Sequence, residues 1–183
     1  MSVELILGGA RSGKSRYALM QAIAHDQAMQ RVAWIATAQA YDDEMRERIT
    51  HHQAERPAHW QTLEAPIALS DALAHCTASC VVVDCLTLWL SNWLCQDDAG
   101  WSSVAAQTEQ QQFFAQLAAY QADPQRQLLL VSNEVGFGVV PDNALARRFR
   151  DDAGRLHQQI AQMADRVTLV VAGIAMPIKR PSF

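Results

Sequence analysis

The sequence has little of what would point away from an ordinary globular enzyme. Its four cysteines, Cys76, Cys80, Cys85 and Cys95, include no C-x-x-C pair. That argues against a zinc site, and the two cysteines that bracket the apolar Val81–Val83 run behave as small hydrophobes, so all four are expected as reduced core thiols. There is no excess of positive charge: 15 Lys and Arg stand against 19 Asp and Glu, a formal net charge of -4. A nucleic-acid partner, which favours a basic stripe, is therefore not expected. No apolar stretch approaches the ~20 residues that span a bilayer, so no membrane span is expected. The opening Met1–Leu7 lacks both a basic start and a long apolar run, so no signal peptide is expected and the default location is the cytoplasm. Internal repeats, low-complexity tracts and linkers are also missing. With 183 residues, half of them hydrophobic and 19% charged, the chain reads as one globular domain over 1–183 with a sizeable core.

Short apolar runs alternate with longer helical patterns. Val3–Leu7, Val32–Ala36, Val81–Asp84, Leu128–Ser132 and Val167–Ala172 carry no polar alternation, as expected of strands buried on both faces of a parallel sheet. Helical spacing is expected over Lys14–Ala24, Asp42–Gln53, Ala68–His75, Leu86–Leu94, Val104–Gln121 and Asn143–Ala164. The alternation predicts an α/β layered fold, a mostly parallel β-sheet flanked by helices. The Leu86–Leu94 helix is apolar on much of its circumference, with Trp89 and Trp93 on one face and Leu86, Leu90 and Leu94 on another. It belongs in the core, with a subunit contact as the second option.

Gly8-Gly9-Ala10-Arg11-Ser12-Gly13-Lys14-Ser15 completes the pattern G-x-x-x-x-G-K-[ST] between a predicted strand and a predicted helix, the context of a P-loop. Glycines there permit backbone angles that a side chain forbids, and successive N–H groups then face bound phosphates at the helix N-terminus. Lys14 is placed to reach β- and γ-phosphate oxygens, and Ser15 to hold Mg²⁺ through its hydroxyl. Asp84 ends an apolar strand expected to lie next to the P-loop, where its carboxylate would sit near the same Mg²⁺; capping the helix that starts at Leu86 is the other role open to it. The guanine-reading N-K-x-D sequence of signalling GTPases is absent. A P-loop alone does not choose between kinase, ATPase and switch.

A second informative stretch runs from Asp42 to Glu64. Met45, Ile49 and His52 recur at helical spacing and share one face, with Arg48 one turn before His52. A neutral imidazole is a competent nucleophile toward an activated phosphorus. A solvated helix with surface histidines is the plainer alternative from spacing alone.

Four segments taken together resemble one enzyme family: Gly8–Ser15; Arg48–Pro66, read as R-I-x-x-H-x-x-x-R-P-x-x-W-x-T-x-E-x-P; Val83–Leu90, V-D-C-L-T-L-W-L; and Ser132–Pro141, S-N-E-V-G-x-G-V-V-P. Arg150–Leu156 matches as well. The family is the bifunctional adenosylcobinamide kinase and adenosylcobinamide-phosphate guanylyltransferase of cobalamin biosynthesis, and the resemblance covers nearly the whole chain. It implies a P-loop NTPase-type fold and two reactions. The first phosphorylates the aminopropanol hydroxyl of adenosylcobinamide with ATP or GTP. In the second, a histidine attacks the α-phosphate of GTP and pyrophosphate leaves. The GMP-histidine then passes GMP to adenosylcobinamide phosphate.

The family pattern lands on His52 rather than on its neighbour His51. The resemblance also carries over Glu64 and Asp84 as carboxylates of the nucleotide site, and some relatives have glutamate where this chain has Asp84. Gln53, Ala54, Glu55 and Arg56, just past the histidine, become candidates for holding guanosine. The turn Thr37-Ala38-Gln39, at the end of the second strand, is expected to border the same nucleotide. Asn133, Glu134, Gly136 and Gly138 follow the fourth strand on the ligand face, where corrinoid binding and a plain glycine turn are both open. A homotrimer is the assembly implied. His59, His75 and His157 have no ligand spacing and no assigned role. A monofunctional P-loop kinase and a GTP-binding regulatory module are the rival functions.

Overall fold

The computed structural model describes residues 3–27, 31–40, 42–96 and 99–180. The chain runs β1 (Val3–Gly8), α1 (Lys14–Gln27), β2 (Val32–Ala36), α2 (Asp43–Ala54), β3 (Gln61–Glu64), α3 (Leu69–His75), β4 (Cys80–Asp84), α4 (Leu86–Leu94), α5 (Val104–Ala122), β5 (Gln127–Asn133), α6 (Ala144–Met163), β6 (Arg166–Val171) and β7 (Ile174–Lys179), with a 3-10 turn at Gly100–Ser102. The strands form one sheet in the order β3-β2-β4-β5-β1-β6-β7. All neighbours are parallel except β6 and β7. The expected mostly parallel α/β sheet is what the chain forms.

Both faces of the sheet are covered, which is why its central strands read as unbroken apolar runs. Leu5, Val81, Val83, Leu128 and Leu130 face a core shared with α3, α4, α5 and α6. Ile6, Trp34, Val82, Leu129 and Val131 face the other core, against Ala18 and Ala22 of α1. Two strands were not foreseen, and both are edges. β3 has one apolar residue among Gln61-Thr62-Leu63-Glu64 and pairs only with β2. β7 carries Pro177, which an edge strand tolerates. Its hairpin turns at Ala172 and Gly173, with φ of 51° and 78°, the two left-handed positions of a tight β-hairpin. The expected strand Val167–Ala172 therefore stops at Val171.

Helix ends follow local chemistry. Asp42 and Asn143, expected inside α2 and α6, cap them instead: Met45 N–H donates to Asp42 Oδ1 at 2.7 Å and Ala146 N–H to Asn143 Oδ1 at 3.1 Å. Helix α4 is core, as its composition indicated. Trp89 is fully buried, donates from Nε1 to the Ile67 carbonyl at 2.8 Å, and packs against Trp101 and Phe113 with ring centroids 5.0 Å away in each case. The cysteines are free, and Cys76, Cys80 and Cys85 are buried; Cys95, past the end of the α4 stripe, is exposed, contrary to the core placement expected for it. Among the described residues no group of ligands could hold a metal by His, Cys, Asp and Glu alone, and no helix is long and apolar enough to cross a membrane.

Helix α3 has no cap of its own, because Ala68 precedes it. Buried Glu109 of α5 supplies one from a distance, accepting from Ser70 N–H at 2.7 Å and Ser70 Oγ at 2.6 Å. Glu109→Ala removes both charge-assisted bonds and is expected to destabilise the fold by about 2–3 kcal/mol, read as a lower urea midpoint at unchanged slope.

Candidate active site

Parallel pairing brings the C-terminal ends of β1, β2, β4 and β5 to one rim. Gly8 is level with Asn133, Val131 with Asp84, Asp84 with Ala36, and Ala36 with Glu64. The expected site residues at Gly8–Ser15, Thr37–Gln39, Glu64 and Asp84 therefore share this rim. One detail differs: β4 is not beside β1, since β5 lies between them. Asp84 still reaches the phosphate loop, because Ser15 Oγ donates to its Oδ1 at 3.5 Å.

The loop itself has the geometry its glycines suggest. Gly13 has φ of 96°. A Cβ on Gly8 would come within 2.4 Å of Ser12 Oγ and 2.6 Å of the Val170 carbonyl, so only glycine fits. Lys14 is buried at the start of α1 and its ammonium donates to the Gly9 carbonyl at 3.1 Å. Burial pulls its pKa down, opposed by Cys85 and Asp84. Two neighbours brace the loop through the backbone. Glu134 N–H donates to the Gly8 carbonyl at 2.9 Å and Gly173 N–H to the Ser12 carbonyl at 2.8 Å.

Asp84 is the electrostatic centre of the site. Burial raises its pKa, while His52, Lys14 and Arg56 and the Ser15 hydrogen bond act in the opposite direction. His52 is half exposed, on α2, with Nδ1 3.4 Å from Glu55 Oε2. Arg56 lies over the Trp34 ring, its guanidinium carbon 4.4 Å from the centroid. Its Nε and Nη1 are buried without a hydrogen-bond partner among the described residues. Burial lowers the Arg56 pKa against the pull of Asp84 and Glu55. Gln53 and Ala54 are exposed beside it. The side chains of Arg48 and His51 lie outside the described residues.

Thr37 is tied into the rim by hydrogen bonds. It is fully buried, its hydroxyl donates to the Cys85 carbonyl at 2.7 Å and accepts from Cys85 N–H at 2.8 Å, and its carbonyl takes a bond from Asn92 Nδ2 at 2.8 Å. Thr37 thus fixes the backbone after Asp84, and Ala38 and Gln39 beyond it are half-buried. Asn92 also binds the Pro66 carbonyl at 2.9 Å. Sequence reasoning missed Asn92, the Trp34 platform and the Gly173 brace. An amide side chain on a helix built mostly of leucine and tryptophan was the available signal for the first. His157, left without a role, is buried in contact with Ser132, Nε2 to Oγ 2.7 Å, at the base of the Asn133–Glu134 loop.

Residues 4–178 match the family model described as cobinamide kinase / cobinamide phosphate guanyltransferase. The chain is 49% identical over 178 residues to the bifunctional adenosylcobalamin biosynthesis protein CobP of Pseudomonas aeruginosa, with 96% of each chain covered. It is 43% identical to the bifunctional adenosylcobalamin biosynthesis protein CobU of Escherichia coli and 42% to that of Salmonella typhimurium, covering 96% of this chain and 98% of each relative. Among solved structures, the flagellar accessory protein FlaH of Methanocaldococcus jannaschii superposes with a TM-score of 0.55 at 11% identity, covering 98% of this chain and 79% of that one, a likeness of fold alone. On this match of sequence along nearly its whole length, the chain belongs to the cobinamide kinase / cobinamide phosphate guanyltransferase family.

Proposed function

We propose that one domain of this chain carries out both reactions in the family's description, phosphorylating cobinamide with ATP or GTP and then transferring GMP from GTP to cobinamide phosphate through a histidine. The observation that carries this reading is the convergence on Asp84. Ser15 of the P-loop donates to that half-buried carboxylate, and Lys14, His52 of α2 and Arg56 just past it stand near enough to favour its charged form, so a triphosphate held by the loop lies within the field of the histidine helix.

In the kinase step, the N–H groups of Gly9–Ser15 cradle the phosphates and Lys14 offsets their charge. The Ser15 hydroxyl and the Asp84 carboxylate form a pair of hard oxygen donors that suits Mg²⁺. Bound there, Mg²⁺ would neutralise charge on the transferred phosphate. In the second reaction an imidazole nitrogen of His52 forms a bond to the α-phosphorus of GTP as the bond to pyrophosphate breaks. An oxygen of cobinamide phosphate then takes the GMP and frees the imidazole. Arg56, whose Nε and Nη1 have no partner among the described residues, is suited to the guanosine or its phosphate. Glu64, Ala38, Gln39 and Gln53–Glu55 complete the nucleotide surface. The enzyme acts in the cytoplasm as a homotrimer, an assembly that sedimentation of the purified protein tests.

Asp84→Asn tests the centre of this reading. The Mg²⁺ concentration for half-maximal kinase activity is expected to rise about tenfold or more; an unchanged requirement would remove Asp84 from the metal site. A pH effect accompanies it. Because burial raises Asp84 in the folded state, folding binds a proton, and the stability it contributes is full below the unfolded value and lost as pH rises through the folded one. The nucleotide-free, chelator-treated enzyme should therefore lose Tm as pH climbs through the Asp84 ionisation. The asparagine variant should lack this decline.

A further inference from the structure

Two uncharged segments expose large apolar side chains at the phosphate-loop rim. Val135–Pro141 carries no charge, and Phe137, Val139 and Val140 are 84%, 93% and 58% exposed. Residues 172–178 carry none either, and Ile174, Met176 and Ile178 are also exposed, with Val171 beside them. Val171 and Ile174 face each other across the hairpin. Scattered apolar residues on a surface need no explanation, but contiguous sets mark binding surfaces.

Both segments are fastened to the phosphate loop itself. The first begins at Glu134, whose N–H holds the Gly8 carbonyl, and the second turns at Gly173, whose N–H holds the Ser12 carbonyl. Phe137 is three residues from its anchor, a reach of at most about 11 Å, and Ile174 is adjacent to its own. The anchors follow β5 and β6, the two neighbours of β1, so they flank the loop at a separation of about 10 Å. An acceptor that places its hydroxyl over the loop can lay the remainder of its body across these tips.

We propose that the Phe137–Val140 and Val171–Ile174 tips form the seat for the corrin macrocycle of the acceptor in phosphoryl transfer. The acceptor in this reading is a hydroxyl on a short arm attached to a large, flat, methyl-rich ring edged with neutral amides. An uncharged apolar platform either side of the phosphate loop matches that body and offers no charge to a nucleotide's phosphates. Braced to the loop through backbone hydrogen bonds, the seat would also set the distance from ring to phosphate. The inference rests on cobinamide being the acceptor.

The test is steady-state phosphorylation of cobinamide by wild-type enzyme and by Phe137→Ser, Val139→Ser and Ile174→Ser, with sedimentation of each. The three side chains are exposed, so folding is retained. Expected is a rise in the KM for cobinamide of about tenfold in Phe137→Ser and Ile174→Ser, from the apolar area each would cover. The KM for ATP and the sedimentation coefficient should stay as in wild type. An unchanged KM for cobinamide in an active enzyme overturns the seat, whether or not the assembly alters. A raised KM that appears only together with dissociation of an assembly overturns it too, assigning the tips to a contact between copies of this chain. Wild-type enzyme that phosphorylates no cobinamide overturns the acceptor reading along with the seat.

Discussion

Lys14→Ala is expected to lower kcat for phosphorylation of cobinamide by about 10²–10³-fold, the loss typical of one preorganised donor to a transition-state charge. The ammonium is held at the start of α1 by the Gly9 carbonyl and is partly stripped of water. In that setting its attraction for a phosphate oxygen is stronger than in bulk water. The fold should not suffer, since the variant removes a buried charge and a single hydrogen bond. Tm at neutral pH should hold or rise, which separates a catalytic loss from unfolding. Lys14→Arg should fail to rescue, because a planar guanidinium does not replace a compact ammonium inside the loop. Unchanged turnover in Lys14→Ala would refute the role given to the loop.

His52→Ala should bring the opposite split. Guanylyl transfer falls below about a thousandth of wild type, as removal of a covalent nucleophile requires. The kinase reaction remains within a few-fold, because Lys14 and Ser15 are untouched. The side chain is half exposed, with Nδ1 3.4 Å from Glu55 Oε2, so its loss should cost the fold little. His51→Ala should retain both activities. If guanylyl transfer survives in His52→Ala and disappears in His51→Ala, the nucleophile is the neighbouring histidine.

Sequence legibility followed burial. Strands covered on both faces, such as Val32–Ala36 and Cys80–Asp84, announced themselves as apolar runs. Edge strands do not have to: Gln61–Glu64 has solvent on most of its side chains, and nothing in its composition separates it from a loop. The P-loop was legible because its chemistry demands glycine at fixed positions, and the van der Waals room at Gly8 and the φ of Gly13 give the reason. Residues that act through long-range contacts were not legible. The Trp34 ring under Arg56 joins positions 22 residues apart, and the Gly173 brace joins the last hairpin to the first loop. Asp84 was placed correctly at the rim for a reason only partly right, since an intervening β5 separates its strand from β1. Parallel pairing through β5 keeps the strand ends level, and a serine hydroxyl closes the remaining gap.

The central claim is that one domain joins a phosphate loop to a histidine that carries GMP. Incubation of the enzyme with GTP labelled at the α-phosphate, together with Mg²⁺, tests it most directly. The account predicts label on the chain that is labile to acid and stable to alkali, as a phosphoramidate is. Peptide mapping should place it on His52, and added cobinamide phosphate should discharge it. A chain that stays unlabelled while it phosphorylates cobinamide would contradict the account and leave a kinase alone.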